Sequence, residues 1–122
     1  DVAILQVPRH GEKYHVFALA DARLEEHVRA VGYTWSRGLG DTPDFMVYHG
    51  RVTCLTFEEC VTTNSGVYPG MSGGPLLNGR GAVVGITSRA GLAWGLPMET
   101  ASIFIPADRL VELWDSFQKE AE

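Results

Sequence analysis

Residues 70–75 read Gly-Met-Ser-Gly-Gly-Pro, and the stretch that follows, Leu76-Leu77-Asn78-Gly79-Arg80-Gly81-Ala82-Val83-Val84-Gly85-Ile86, decides how those six residues fold. A serine hydroxyl is a weak nucleophile until a base takes its proton and hydrogen-bond donors stabilise the oxyanion formed on the attacked carbonyl. The frame around Ser72 suits the second need. A glycine at position 70 lets the backbone turn with no side chain in the way, so the amides of Gly70 and Ser72 can face one small pocket as a candidate oxyanion hole. Gly73 and Gly74 leave the other side of the serine bare for a peptide to approach, and Pro75 stiffens the exit. An ordinary turn between strands needs one or two glycines, not this array.

The same residues satisfy Gly-x-Ser-x-Gly, the nucleophile elbow of α/β-hydrolases, and two observations exclude that reading. An elbow serine opens a helix, whereas the residues after Ser72 read as a hairpin with Asn78-Gly79 at its turn. An elbow also needs a histidine later in the chain, and His10, His15, His27 and His49 all precede Ser72.

Working outward, short apolar stretches punctuated by glycine, proline and asparagine recur at about 1–7, 14–19, 27–35, 45–56, 60–64, 75–78, 82–88 and 101–105. Strands at that spacing predict an all-β, antiparallel barrel. Val2, Ile4, Leu5 and Val7 fall on both faces of the first stretch, which asks for cover on each side. Asp21–Glu26 is expected to form a brief helical turn, Arg37–Asp44 a loop, and His49-Gly50 a turn. After Pro106 the period changes: Leu110, Leu113, Trp114 and Phe117 recur at helical intervals, predicting a final helix whose apolar stripe packs on the barrel. No internal repeat or linker divides the chain.

A length of 122 residues with 45% hydrophobic content fits one domain with a modest core. A net charge of −5 argues against nucleic acid or anionic membrane as partner, since affinity for either is built from lysine and arginine. No apolar run approaches the roughly 20 residues of a membrane span. Cys54 and Cys60 flank a plausible hairpin connection, so a disulfide or two free thiols are both open. No zinc-ligand spacing is present, and no metal or cofactor is expected.

With Gly-Met-Ser-Gly-Gly-Pro in place, the chain resembles the chymotrypsin-like serine endopeptidases, most closely the bacterial branch that includes the HtrA proteases. Asp1-Val2-Ala3-Ile4-Leu5 looks like that family's Asp-x-Ala-x-Leu strand. Val31-Gly32-Tyr33 looks like its turn after a central strand, Val83–Ser88 like the strand that pairs with substrate, and Ile103-Phe104-Ile105-Pro106 like the entry to its last helix. The resemblance implies the carboxy-terminal barrel of a two-barrel fold: 1–10 a strand and connection from the first barrel, 11–105 the second barrel, and 106–122 a C-terminal helix.

It also implies roles. Ser72 would be the nucleophile, Asp1 the carboxylate that orients a catalytic histidine, and the amides of Gly70 and Ser72 the oxyanion hole. A substrate pocket would lie among Gly66, Val67, Tyr68, the strand end Ser88, Arg89 and Ala90, and residues near Ala101 and Ser102. Gly66 stands where members that cleave after lysine or arginine carry aspartate, so a small or apolar side chain is expected at the cleaved bond. Arg89 is a second candidate, as a receptor for an acidic group. Met71 replaces a common aspartate or asparagine, which removes activation by an ion pair with a new amino terminus. Family order is histidine, aspartate, serine, so the histidine is expected from an upstream half or a complementing chain, and His10, His15, His27 and His49 are read as surface or structural residues. The expected partners are therefore a peptide or protein substrate and that histidine-bearing segment. An inactive protease-like binding module or a structural subunit is the alternative.

Overall fold

The structure is a computed structural model that describes residues 2–8, 11, 16–34, 44–63, 70–93 and 96–121, with the strand residues between 90 and 101 described by their backbone. Among the described residues six strands follow in order: β1 (His27–Thr34), β2 (Asp44–Leu55), β3 (Cys60–Thr63), β4 (Pro75–Asn78), β5 (Val83–Ala93) and β6 (Leu96–Pro106). They close a barrel in the order β1-β2-β3-β6-β5-β4, and β4 returns to β1. One helix among the described residues, α1 (Ala107–Ala121), follows directly. The all-β barrel with a C-terminal helix is thus the observed architecture.

Alternation explains which residues fill it. β1 turns Val28, Ala30 and Thr34 inward and His27 and Tyr33 outward, the period-2 pattern of a strand with one solvated face. The core comprises Val28, Ala30, Val52, Cys60, Met71, Leu76, Val84 and Phe104. Phe104 is its largest fully buried side chain. Closure gives each described strand a neighbour on both sides, which is how a barrel limits edge-to-edge association.

The turn from β4 to β5 follows the sequence expectation. The buried side-chain oxygen of Asn78 accepts from the amides of Arg80 at 2.9 Å and Ala82 at 3.0 Å, so the side chain substitutes for backbone in closing the hairpin.

Elsewhere the structure corrects the sequence reading. Residues 2–8 form no strand, and Leu5 and Val7 are largely exposed, because no described strand lies beside them to complete a ladder. Of the stretch 14–19, the described part contributes one parallel bridge, Leu19 to Val83. Asp21–Glu26 holds a tight turn and not a helical one: Glu26 N donates to Arg23 O at 3.1 Å, and Glu25 takes a φ of 67°. His49 lies inside β2 opposite Arg29, because Gly50 here pairs with Val28 as a strand residue. β5 and β6 run several residues further than their apolar stretches. α1 touches β5 and β6 mainly through its start, with Ala107 buried, while Trp114 and Phe117 remain 45% and 46% exposed, stacked on each other with ring centres 5.6 Å apart. The stripe expected to pack on the barrel therefore packs only through its first turns.

Both cysteines are free. Cys60 lies opposite Leu55 and Cys54 opposite Val61, with Cys60 facing the interior and Cys54 the solvent, so their Cβ vectors diverge. Burial, reinforced by the Cys54, Glu26 and Asp108 side chains, pushes the Cys60 thiol from its ordinary 9.0 up to about 12. The unfolded chain ionises this thiol at lower pH than the folded one. Its contribution is therefore whole below about pH 9 and is lost as pH rises towards 12. At pH 8 a thiol reagent should modify Cys54 in the native protein and Cys60 only after denaturant is added. The alkaline loss of stability should be shallower in Cys60→Ala; equal native labelling of both thiols would contradict the packing.

Candidate active site

The loop 70–74 lies flat against the second half of β1, and two glycines make that possible. Gly70 has a φ of +98°, and a Cβ there would stand 2.9 Å from the carbonyl oxygen of Tyr33. A Cβ on Gly74 would stand 2.7 Å from the carbonyl oxygen of Val31 and 3.0 Å from that of Met71. The 2.9 Å and 2.7 Å approaches are shorter than side-chain carbons tolerate, so the close approach of loop to strand requires hydrogen at these positions. Between them Met71 drops its side chain into the barrel, 1% exposed, against Gly32. The residue that departs from the family pattern is thus an apolar anchor: its thioether fills the core where an unpaired carboxylate would be costly.

The loop's amides divide into two groups. Gly73 N donates to Thr87 O at 2.8 Å and Gly74 N to Met71 O at 3.0 Å, while Gly74 O accepts from Thr87 N at 2.8 Å. The N–H groups of Gly70, Met71 and Ser72 make no backbone hydrogen bond among the described residues. The half of the loop behind Ser72 is therefore clamped to β5, and the half in front makes no such bond among the described residues.

Ser72 is exposed, and its Oγ donates to the carbonyl oxygen of Ser88 through a long 3.4 Å bond. A register shift between Thr87 and Arg89 leaves Ser88 as an extra residue with no partner on β6. Such bulges re-aim one residue's groups, and here the carbonyl is turned to the serine. The site reading from sequence singled out Ser88 but not Thr87, although Thr87 holds the loop; its residue type carries no signal for a role played by its backbone.

Arg89 is engaged within the chain. Its guanidinium donates to Glu59 Oε1 at 2.9 Å, in an exposed pair joining β5 to the β2–β3 hairpin. Ala90 continues β5 opposite Ser102. Asp1, Gly66, Val67 and Tyr68 lie outside the described residues. So do His10 and His15. His27 and His49 stack with ring centres 5.5 Å apart on the outer face of β1 and β2. His27 is four residues along β1 from Val31, roughly 13 Å at strand rise, and both His27 and His49 are exposed. Among the described residues no three His, Cys, Asp or Glu side chains converge as a metal site. Val2, Ser88, Arg89, Phe104 and Leu113 line one cavity of about 340 Å³.

A closed antiparallel barrel that presents Gly-x-Ser-Gly-Gly-Pro between two of its strands defines a serine peptidase barrel, and comparison with known proteins agrees. The chain belongs to the trypsin-like peptidase domain family, whose model matches residues 1–86. It is similar to a probable periplasmic serine endoprotease DegP-like of Pseudomonas putida (strain GB-1), 31% identical over 130 positions that cover 100% of this chain and 26% of that protein. A protein of the same description from Ectopseudomonas mendocina (strain ymp) is 32% identical over 111 positions, covering 83% of this chain and 23% of the relative. The chain thus spans about a quarter of the length of these relatives. Among solved structures, the HtrA-type protease AlgW with decapeptide shares the fold with a TM-score of 0.60 at 21% identity, covering 84% of this chain and 33% of that one.

Gly70→Ala should lower stability by about 1–3 kcal/mol, since it adds both a positive-φ strain and a backbone clash. Gly79→Ala, where a Cβ meets nothing within 4 Å, is the control and should change little. Denaturant midpoints compare the two; equal midpoints would mean that the loop does not lie on β1 as described.

Proposed function

We propose that this chain carries the nucleophile of a serine endopeptidase, with Ser72 attacking the scissile carbonyl of a peptide. The observation that supports it most strongly is the division of the loop's amides: Gly73 and Gly74 are committed to holding the loop, while those of Gly70 and Ser72, beside an exposed hydroxyl, make no backbone hydrogen bond among the described residues. In this reading those two N–H groups stabilise the oxyanion, and the loss of one such donor typically costs about 2.7–4 kcal/mol of barrier. A histidine from an upstream segment or a complementing chain takes the proton of Ser72 and returns it to the leaving amine. Asp1 holds that imidazole in the required tautomer.

Peptide is the substrate class. The relatives are described as endoproteases, and the structural neighbour is a protease with a decapeptide. Ser88, Arg89 and Ala90, with Gly66, Val67 and Tyr68, form the substrate side in this reading. The Glu59 pairing makes Arg89 a poor receptor for an acidic group, because its charge is already met. The alternative is a binding module without turnover, which the packing of Gly70 and Gly74 on β1 would serve equally, so turnover is what separates the two.

In the complete protein a fluorophosphonate should label Ser72, and Ser72→Ala should abolish both labelling and peptide hydrolysis. The isolated 122-residue chain should label far more slowly than the complete protein. Undiminished hydrolysis by Ser72→Ala removes the assignment, and equal inertness of chain and complete protein favours the binding module.

A further inference from the structure

At the far end of β1 from the Ser72 loop, the outer face of the barrel gathers basic side chains. Residues two apart on a strand share a face, and residues opposite each other across a ladder do too. His27 and Arg29 therefore point outward together, with Arg51 opposite His27 and His49 opposite Arg29. On its other side Arg29 pairs with Leu77 of β4. The imidazoles of His27 and His49 lie with ring centres 5.5 Å apart, and with Arg29 they line a cavity of about 80 Å³ that also reaches the buried Leu77 and Asn78. The ion pairs of the described residues, Arg89 with Glu59 and Arg109 with Glu112, lie elsewhere, and neither Arg29 nor either imidazole meets a carboxylate among the described residues. The acids nearest in sequence are otherwise engaged. Glu26 Oε1 accepts from Arg23 N at 3.4 Å, and Glu25 lines a separate cavity with Arg51, whose guanidinium donates to Glu25 O at 3.4 Å. Like charges facing each other across a ladder are destabilising. In a chain of net charge −5, a half-buried arginine set among basic groups with no carboxylate beside it calls for a counter-charge from outside.

We infer that His27, Arg29 and His49 form a binding site for a phosphate group. A guanidinium presents its N–H donors as a fork that matches an oxyanion in two places, and each imidazole brings at least one N–H donor in either protonation state. Donors converging from two strands suit a multiply charged, tetrahedral anion better than a carboxylate, whose two oxygens lie in one plane. Size agrees: about 80 Å³ admits one phosphate-sized group and is far below what a nucleoside or a larger organic ligand fills. Both imidazoles are exposed, so the group can arrive as the free ion or at the end of a small ester. A transition metal is the rival ligand for an imidazole pair. Arg29 and Arg51 stand in register with the two rings, however, and their charge repels a cation where it attracts an anion. The inference goes beyond the endopeptidase reading and does not depend on it, because the Ser72 loop packs on Val31, Tyr33 and Thr34, further along β1.

Calorimetric titration of the complete protein with inorganic phosphate, at an ionic strength held constant with chloride, tests the site. Binding should saturate at one phosphate per chain and raise the Tm as occupancy rises. Arg29→Gln should weaken it by about tenfold or more, the worth of a charge-assisted pair. Arg29→Lys, which keeps the charge and loses the fork, should fall between wild type and Arg29→Gln. The double variant His27→Ala/His49→Ala should weaken binding by about threefold to tenfold, and it carries the test if Arg29→Gln proves unfolded by circular dichroism. Glycerol phosphate separates the two sources: an affinity matching that of inorganic phosphate shows a site for the end of an ester, and a clear loss of affinity shows a site for the free ion. Either supports a phosphate site. Absence of saturable phosphate binding in wild type overturns the inference, as does an affinity that a folded Arg29→Gln leaves unchanged, which would place the anion elsewhere. Saturable binding of zinc without any of phosphate overturns it as well.

Discussion

Two hydrogen bonds between the Thr87 backbone and the glycines behind Ser72 hold the candidate site together: Gly73 N to Thr87 O and Thr87 N to Gly74 O, each 2.8 Å. Everything in front of the serine depends on them. With the rear of the loop paired to β5, the front makes no backbone hydrogen bond among the described residues. A typical hydrogen bond of this kind contributes about 0.5–1.5 kcal/mol net, so the clamp is modest in energy and acts chiefly by fixing geometry. Other features reinforce it. Met71 anchors the loop from inside the barrel, and the bare Cα atoms of Gly70 and Gly74 let it reach the carbonyls of β1. The Ser88 bulge then sets an acceptor against Ser72 Oγ.

Much of this was legible before any coordinates. Alternating apolar residues and the Asn78-Gly79 turn placed β4 and the start of β5, and the helical spacing after Pro106 placed α1. The parts that could not be read share one cause, which is tertiary partnership. The alternation over 1–7 looks like a strand, but a strand exists only beside another, and no described one lies there. His49-Gly50 looks like a turn, yet Val28 across the ladder draws Gly50 into β2. Cys54 and Cys60 have a spacing compatible with a bridge, and the β2–β3 register sends their side chains to opposite faces. Trp114 and Phe117 keep helical spacing, but spacing cannot say how far a helix stays in contact with its barrel.

At the site, Gly-Met-Ser-Gly-Gly-Pro announced the serine and its glycines directly, because the chemistry constrains the residue types. Met71 was harder. From its type alone it reads as a departure from the family, and only its burial reveals an anchor. Thr87 was not readable as a site residue, since its clamp uses backbone atoms that every residue has. The Arg89–Glu59 pair likewise depends on bringing together residues 30 positions apart.

The clamp itself is the point on which this account stands, and native-state amide hydrogen exchange on the folded protein, resolved residue by residue, tests it most directly. The amides of Gly73, Gly74 and Thr87 should be protected and exchange only when the barrel opens, while those of Gly70 and Ser72 exchange as freely as the solvent reaches them. Gly73 and Gly74 exchanging as fast as Gly70, or Gly70 and Ser72 as slowly as the core of β5, would contradict it.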